Sequence, residues 1–189
     1  MVRWGVEQMT FKEKVVSWSD DEVTEDLFKK EKFKQILHYI VDKCGNRPNV
    51  GKTVLFKLLY FSDFDYYELY EEKMTGEIYT RLPRGPAPQH FDSSVRELEE
   101  ENKIETYTTD FKGYPQKKYK SLKAPKLTLF NQKEKDIIES VVAKCGHMNA
   151  TEVSNYSHED LPYKATEDWD VIDYELVFYR DPAFSVKEE

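Results

Sequence analysis

The sequence predicts a mainly α, α+β fold: one compact helical domain carrying a small antiparallel β element. Three observations lead there. Apolar residues recur at helical spacing in four separate stretches, one further stretch alternates as a hairpin would, and the chain lacks the strand–helix succession of a parallel sheet.

Residues 1 to about 23 carry scattered apolar side chains without a sustained period and read as an arm with one short strand. The first helix begins near Glu31, where Phe33, Ile36, Leu37, Ile40 and Val41 share one face, and Gly45 is expected as its left-handed terminator. The second runs from Gly51 to about Glu71. On it Leu55, Leu58, Leu59, Tyr66 and Leu69 form one apolar arc, with Ser62 inside it. Phe56, Tyr60, Tyr67 and Tyr70 form a second arc beside Lys52 and Asp63. Such a helix must lie centrally, covered from two sides. Its second arc is either more core or an aromatic protein-binding surface.

Between Ile78 and Leu82 a short alternating run is followed by Pro83, Pro86 and Pro88, which forbid helix and imply a stiff extended loop. A helix resumes near Phe91, with Phe91, Val95 and Leu98 as its buried stripe. Ile104 to Tyr119 reads as a hairpin turning at the "FKGYP" stretch. Asn131 to Lys144 is a helix whose core face is Ile137, Ile138, Val141 and Val142. The tail predicts two short helices and a terminal extended segment at Tyr174–Tyr179. The expected organisation is an arm over residues 1–30, a domain over 31–180 and a tail over 181–189. Two "KCG" stretches, each followed by a helix, suggest a pair of related helix-turn-helix units.

The formal net charge of −8 argues against broad nucleic-acid binding but leaves room for a local basic patch. Cys44 and Cys145 have no CxxC partners and no apolar leader precedes them, so a cytoplasmic chain with two free structural thiols is expected. No run approaches the roughly 18 apolar residues of a membrane span. The "GNRPNVGKT" stretch imitates a phosphate loop, but Gly45 and Gly51 are separated by five residues where that loop has four. A helical period also precedes it instead of a strand. Turn chemistry explains the same residues: Gly45 ends one helix, Pro48 stiffens the link, and Asn49 caps the next.

Three features could carry function. His158, between Ser157 and the acids Glu159 and Asp160, is the most enzyme-like residue. Sequence neighbours do not face one another as a triad does, so Ser157 capping a helix is the better reading. The four histidines are scattered without metal-ligand spacing. The stretch from Thr75 to Pro88 is either a structural connection or a preorganised loop presenting Tyr79, Arg81 and Arg84 at low entropic cost. Six lysines lie between Lys112 and Lys126. They make this hairpin either a DNA-contacting wing or an edge kept unpaired by charge, and the second is favoured.

The order of motifs resembles a known family. "KLLYFSD" (Lys57–Asp63), "TGEIYTRLPRGPAP" (Thr75–Pro88), the helix start "LTLFNQKEKDII" (Leu127–Ile138) and the Ser157–His158 pair are similar to the Panacea domain. That is the SocA-like antitoxin family of phage and bacterial toxin–antitoxin loci. The resemblance covers about Phe33 to Glu175; the thirty-residue arm and the longer "RLPRGPAP" depart from it. It implies an antitoxin rather than an enzyme, with a co-encoded toxin as partner. A cellular AAA+ protease is a further partner for members that act as adaptors. It implies no metal, no cofactor and no catalytic residue. The expected partner surface combines Tyr60, Asp63 and Tyr67 with Tyr79, Arg81, Arg84, Gly85 and Pro86, and takes in His158. A DNA-binding regulator using residues 112–126 is the alternative.

Overall fold

The computed structural model describes residues 28–187. The expected arm and its short strand lie outside the described residues. Six α-helices are present in that range: α1 (Lys30–Cys44), α2 (Lys52–Tyr70), α3 (Phe91–Glu100), α4 (Gln132–Cys145), α5 (Ala150–Glu159) and α6 (Leu161–Ala165). A 3₁₀ helix follows at Tyr174–Tyr179. Two antiparallel pairs complete the described elements: β1 (Tyr79–Leu82) with β2 (Gly85–Pro88), and β3 (Ile104–Phe111) with β4 (Tyr114–Ser121). The architecture is mainly α, α+β, as the periodicities predict. Phe28 and Phe184, which lie just outside the 31–180 range, also pack against the core.

α2 is the axis of the molecule. α1 and α4 cover one side, and β2, α5 and the 3₁₀ helix cover the other. The first arc is interior at Leu55, Leu58, Leu59 and Tyr66; of the second, Tyr60 is buried, Phe56 and Tyr67 are half-buried and Tyr70 is exposed, while Phe61 and Phe64 between the arcs are buried. A helix enclosed this way also carries its polar residues inside, and Lys57, Asp63, Asp65 and Glu68 are all buried. Such groups must find partners or shift their protonation.

Several local expectations are corrected. Gly45 ends α1 at φ −57°, in the right-handed region, so no left-handed cap is needed. A Cβ there would instead meet the Tyr119 carbonyl at 2.5 Å and the Val41 carbonyl at 2.6 Å; close backbone approach demands the glycine. Asn49 does not cap α2, whose N-cap is Gly51. Its amide donates to the carbonyls of Gly146 (3.1 Å) and Met148 (2.8 Å), stitching the α1–α2 turn to the α4–α5 turn. Ser157 sits inside α5 and donates to the Ser154 carbonyl. α5 is capped by Asn149, which forms a capping box with Glu152, as Asn131 does with Glu134 on α4. Tyr174–Tyr179 is 3₁₀ rather than extended. The proline-rich stretch is a hairpin rather than a loop. Pro83 stands at the second position of its turn and Gly85 at the fourth, both favoured there. In β3–β4 the two-residue turn places Lys112 (φ 54°) and Gly113 (φ 85°) in the left-handed region, as a tight hairpin requires.

Candidate functional site

The β1–β2 hairpin is held from three directions. On its outer edge residues 169–172 run antiparallel to β1. Arg81 N donates to the Asp170 carbonyl (2.9 Å), Trp169 N to the Arg81 carbonyl (2.8 Å) and Ile172 N to the Tyr79 carbonyl (2.8 Å). At its turn, Ser154 Oγ donates to the Arg84 carbonyl and Tyr163 Oη to the Leu82 carbonyl. From beneath, α2 supplies Lys57, whose Nζ lies 3.3 Å from the Pro86 carbonyl. Gly85 is at φ +98°, and a Cβ there would lie 2.5 Å from Ser157 Oγ and 2.6 Å from Lys57 Cε. Only glycine fits, because α2 and α5 both press against the hairpin at that point.

Asp63 anchors the hairpin's base. Its carboxylate accepts from Thr75 N (3.0 Å), Thr75 Oγ1 (2.7 Å) and Tyr79 Oη (2.7 Å). Burial pushes its pKa up to about 6 although these hydrogen bonds pull the other way. Glu77, also buried, accepts from His90 Nδ1 (2.8 Å) and Ile78 N (2.6 Å). Burial raises its pKa too. The histidine oriented by a carboxylate is thus His90. His158, for which the sequence suggests neighbouring acids, instead stacks on Tyr163 at 4.6 Å.

Behind the hairpin lies an ionic lock. Arg180 grips Asp160 through Nε (2.9 Å) and Nη2 (2.8 Å), and its Nη1 donates to Asp65 and Glu68, both at 2.8 Å. Tyr60 Oη donates to the same Asp160 carboxylate at 2.9 Å. Burial outweighs the guanidinium at Asp65, whose pKa rises to about 6. The bidentate geometry and four charge-assisted bonds compensate the desolvation of the group.

The structure divides the expected surface into two layers. Tyr60, Asp63, Tyr79, Gly85 and Pro86 are interior and support the hairpin, so none presents a side chain to a partner. At Tyr60 the second aromatic arc is core: its ring packs on Phe64 (4.3 Å) and Tyr79 (5.6 Å). Tyr67, Arg81 and His158 are part-exposed and Arg84 is exposed. Arg81, Arg84, Gly85, Pro86 and His158 are brought together around Lys57; Tyr67 lies apart, against Tyr174 and Phe178. Lys57, Asp160 and Arg180 were missed. Nothing local marks them, because their surroundings are made by distant segments.

Trp169 was missed as well. It is 69% exposed, at φ +73°, beside Val171 at 57%. A bulky residue in the left-handed region costs on the order of 1–3 kcal/mol and persists only where its surroundings impose it. Here the hydrogen bonds to β1 impose it.

The lysine-rich hairpin is less uniformly basic than its composition suggests. Lys118 is buried, donating to the Arg47 and Val50 carbonyls, and Lys120 pairs with Glu105 at 2.9 Å. Among the described residues no three His, Cys, Asp or Glu side chains gather as a metal site, and no helix is long and apolar enough to cross a membrane. Cys44 and Cys145 are free and buried. A family model described as "Antitoxin SocA-like, Panacea domain" matches residues 55–163, the span holding α2, the hairpin, α4 and α5. No curated protein and no solved structure matches the chain.

Proposed function

Because this chain belongs to the SocA-like antitoxin family, whose hallmark is the Panacea domain, we propose that it neutralises a co-encoded toxin by direct, stoichiometric contact in the cytoplasm. The contact surface is the β1–β2 turn together with the 169–171 strap, within a functional unit spanning residues 31–180. The observation that supports this reading is the exposed Trp169 held in a strained conformation above a fully buried scaffold.

Tryptophan and arginine dominate the energetics of protein interfaces. Here Arg81 and Arg84 sit on the hairpin and Trp169 on the strap hydrogen-bonded beside it, and Pro83 and Gly85 fix the turn. A surface ordered in advance loses little entropy on binding. Tyr60, Asp63 and Tyr79 serve it from below by holding the hairpin on α2.

Co-expression with the adjacent gene tests the reading. Growth is restored and the two products co-purify. Trp169→Ala lowers the affinity by tenfold or more while leaving the thermal melt within a few degrees of wild type. Absence of both rescue and complex refutes the proposal. A fall in toxin level that depends on an AAA+ protease would show that the complex is passed on for degradation; a constant level would show blocking.

A further inference from the structure

We propose that Lys57 Nζ, Arg81 Nε and His158 Nε2 form a binding site for one carboxylate, and that its occupant is an aspartate or glutamate side chain of the protein partner. This rests on the toxin-binding reading and adds the chemistry of the contact.

Arg81 lies on the hairpin, Lys57 reaches the Pro86 carbonyl from α2, and His158 lies on α5 against Tyr163. Lys57 is 1% exposed, and the acceptor its three ammonium protons find among the described residues is the Pro86 carbonyl at 3.3 Å. Arg81 Nε and His158 Nε2 are buried without a hydrogen-bond partner among the described residues. Arg81 Nε has Asp168 Oδ1 at 3.5 Å, an ion pair longer than a normal hydrogen bond. The Arg81 guanidinium and the His158 ring lie 4.7 Å and 4.6 Å from the centre of the same Tyr163 ring. Lys57 Nζ and Ser157 Oγ, the latter one residue before His158, both approach the Cβ position of Gly85. A buried polar group left unpaired destabilises the fold. Two such groups, beside an ammonium that has only one acceptor, make an arrangement that a carboxylate would satisfy.

The surrounding charges agree. Arg84 acts on Lys57, and Lys57 and Arg81 act on His158; burial and these neighbours depress the basicity of Lys57 and His158. Of the nearby acids, Glu159 faces Lys164 at 3.4 Å, and Asp168, whose Oδ1 lies 3.5 Å from Arg81 Nε, is 64% exposed. In a chain of net charge −8 this corner is locally cationic. An acidic partner is repelled by most of the surface and attracted here, which fixes its docking register. The Arg81 side chain is 25% exposed and His158 is part-exposed, so a turn of these two side chains opens the site. It opens beside Arg84, Trp169 and Val171, where a partner's surface would deliver the carboxylate.

Two measurements test this. In side-chain nitrogen NMR of the full chain, sodium acetate at constant ionic strength is expected to shift Arg81 Nε and His158 Nε2 saturably, while sodium chloride does not. Absence of a saturable acetate shift overturns the site. Sodium phosphate saturating at tenfold lower concentration than acetate would overturn the assignment of a carboxylate. With the adjacent-gene product as ligand, Arg81→Gln and His158→Gln are each expected to weaken binding at least tenfold at an unchanged melting temperature. Unchanged affinity in both variants refutes the carboxylate contact and leaves toxin binding standing. Acetate shifts without any binding of that product by the wild type overturn the assigned occupant. Should either variant fail to fold, the acetate titration of the wild type decides.

Discussion

Replacing Lys57 by methionine isolates the cost of the buried amine. Burial beside Arg84 brings its pKa from 10.5 down to about 7. At about 1.36 kcal/mol per pH unit, this makes a protonated Lys57 cost the fold on the order of 5 kcal/mol. The folded pKa is depressed, so the stability linked to this group is fully present above 10.5 and lost as pH falls toward 7. Below 7 it stays constant. Methionine has similar length and no proton to lose; its debit is the Pro86 carbonyl's donor, about 1 kcal/mol. At pH 7 Lys57→Met is therefore expected to be more stable than wild type by a few kcal/mol. Between pH 7 and pH 9 that advantage should shrink by about 2 kcal/mol, because the wild type alone gains stability there. Urea denaturation of both proteins at matched pH measures it, and tyrosine and thiol titrations cancel in the difference. A gap constant to within 0.5 kcal/mol from pH 7 to 9 would refute the claim that Lys57 is buried without a counter-charge.

Gly85→Ala combines a positive φ with two contacts near 2.5 Å and should cost about 2–4 kcal/mol, read as a lower urea midpoint. Arg180→Met leaves Asp65, Glu68 and Asp160 without their cation. It should cost about 3–5 kcal/mol, seen as a fall of ten degrees or more in the thermal melt.

Periodicity made the helices legible because burial and spacing coincide along each one. Phe33, Ile36, Leu37, Ile40 and Val41 are all buried, as their shared face implies. The hairpin turn at Lys112–Gly113 was legible for a similar reason: its conformation is dictated by residues next to one another. What failed was everything decided at long range. Asn49 has the chemistry of a cap, yet its amide is spent on carbonyls nearly a hundred positions away. Gly45 has the look of a terminator, yet its constraint is the Tyr119 carbonyl. Nothing adjacent to Lys57 foretells that α5 and the hairpin close over it. Tyr60 was ambiguous between core and surface for the same reason. Trp169 carries no local sign of its exposure or strain; both follow from the strap's register against β1.

The Arg180 lock also bears on the order in which the protein becomes competent. The guanidinium follows Glu68 by 112 residues. At elongation rates of about 5–20 residues per second it is made roughly 6–22 s later. Until then Asp65 and Glu68 lack the cation that pairs with them in the folded chain. Closure of α2 beneath the hairpin thus waits on the synthesis of Arg180, and a chain released before it would carry the hairpin without the clamp that seats it. Seating of the hairpin is thereby tied to chains that extend through Arg180.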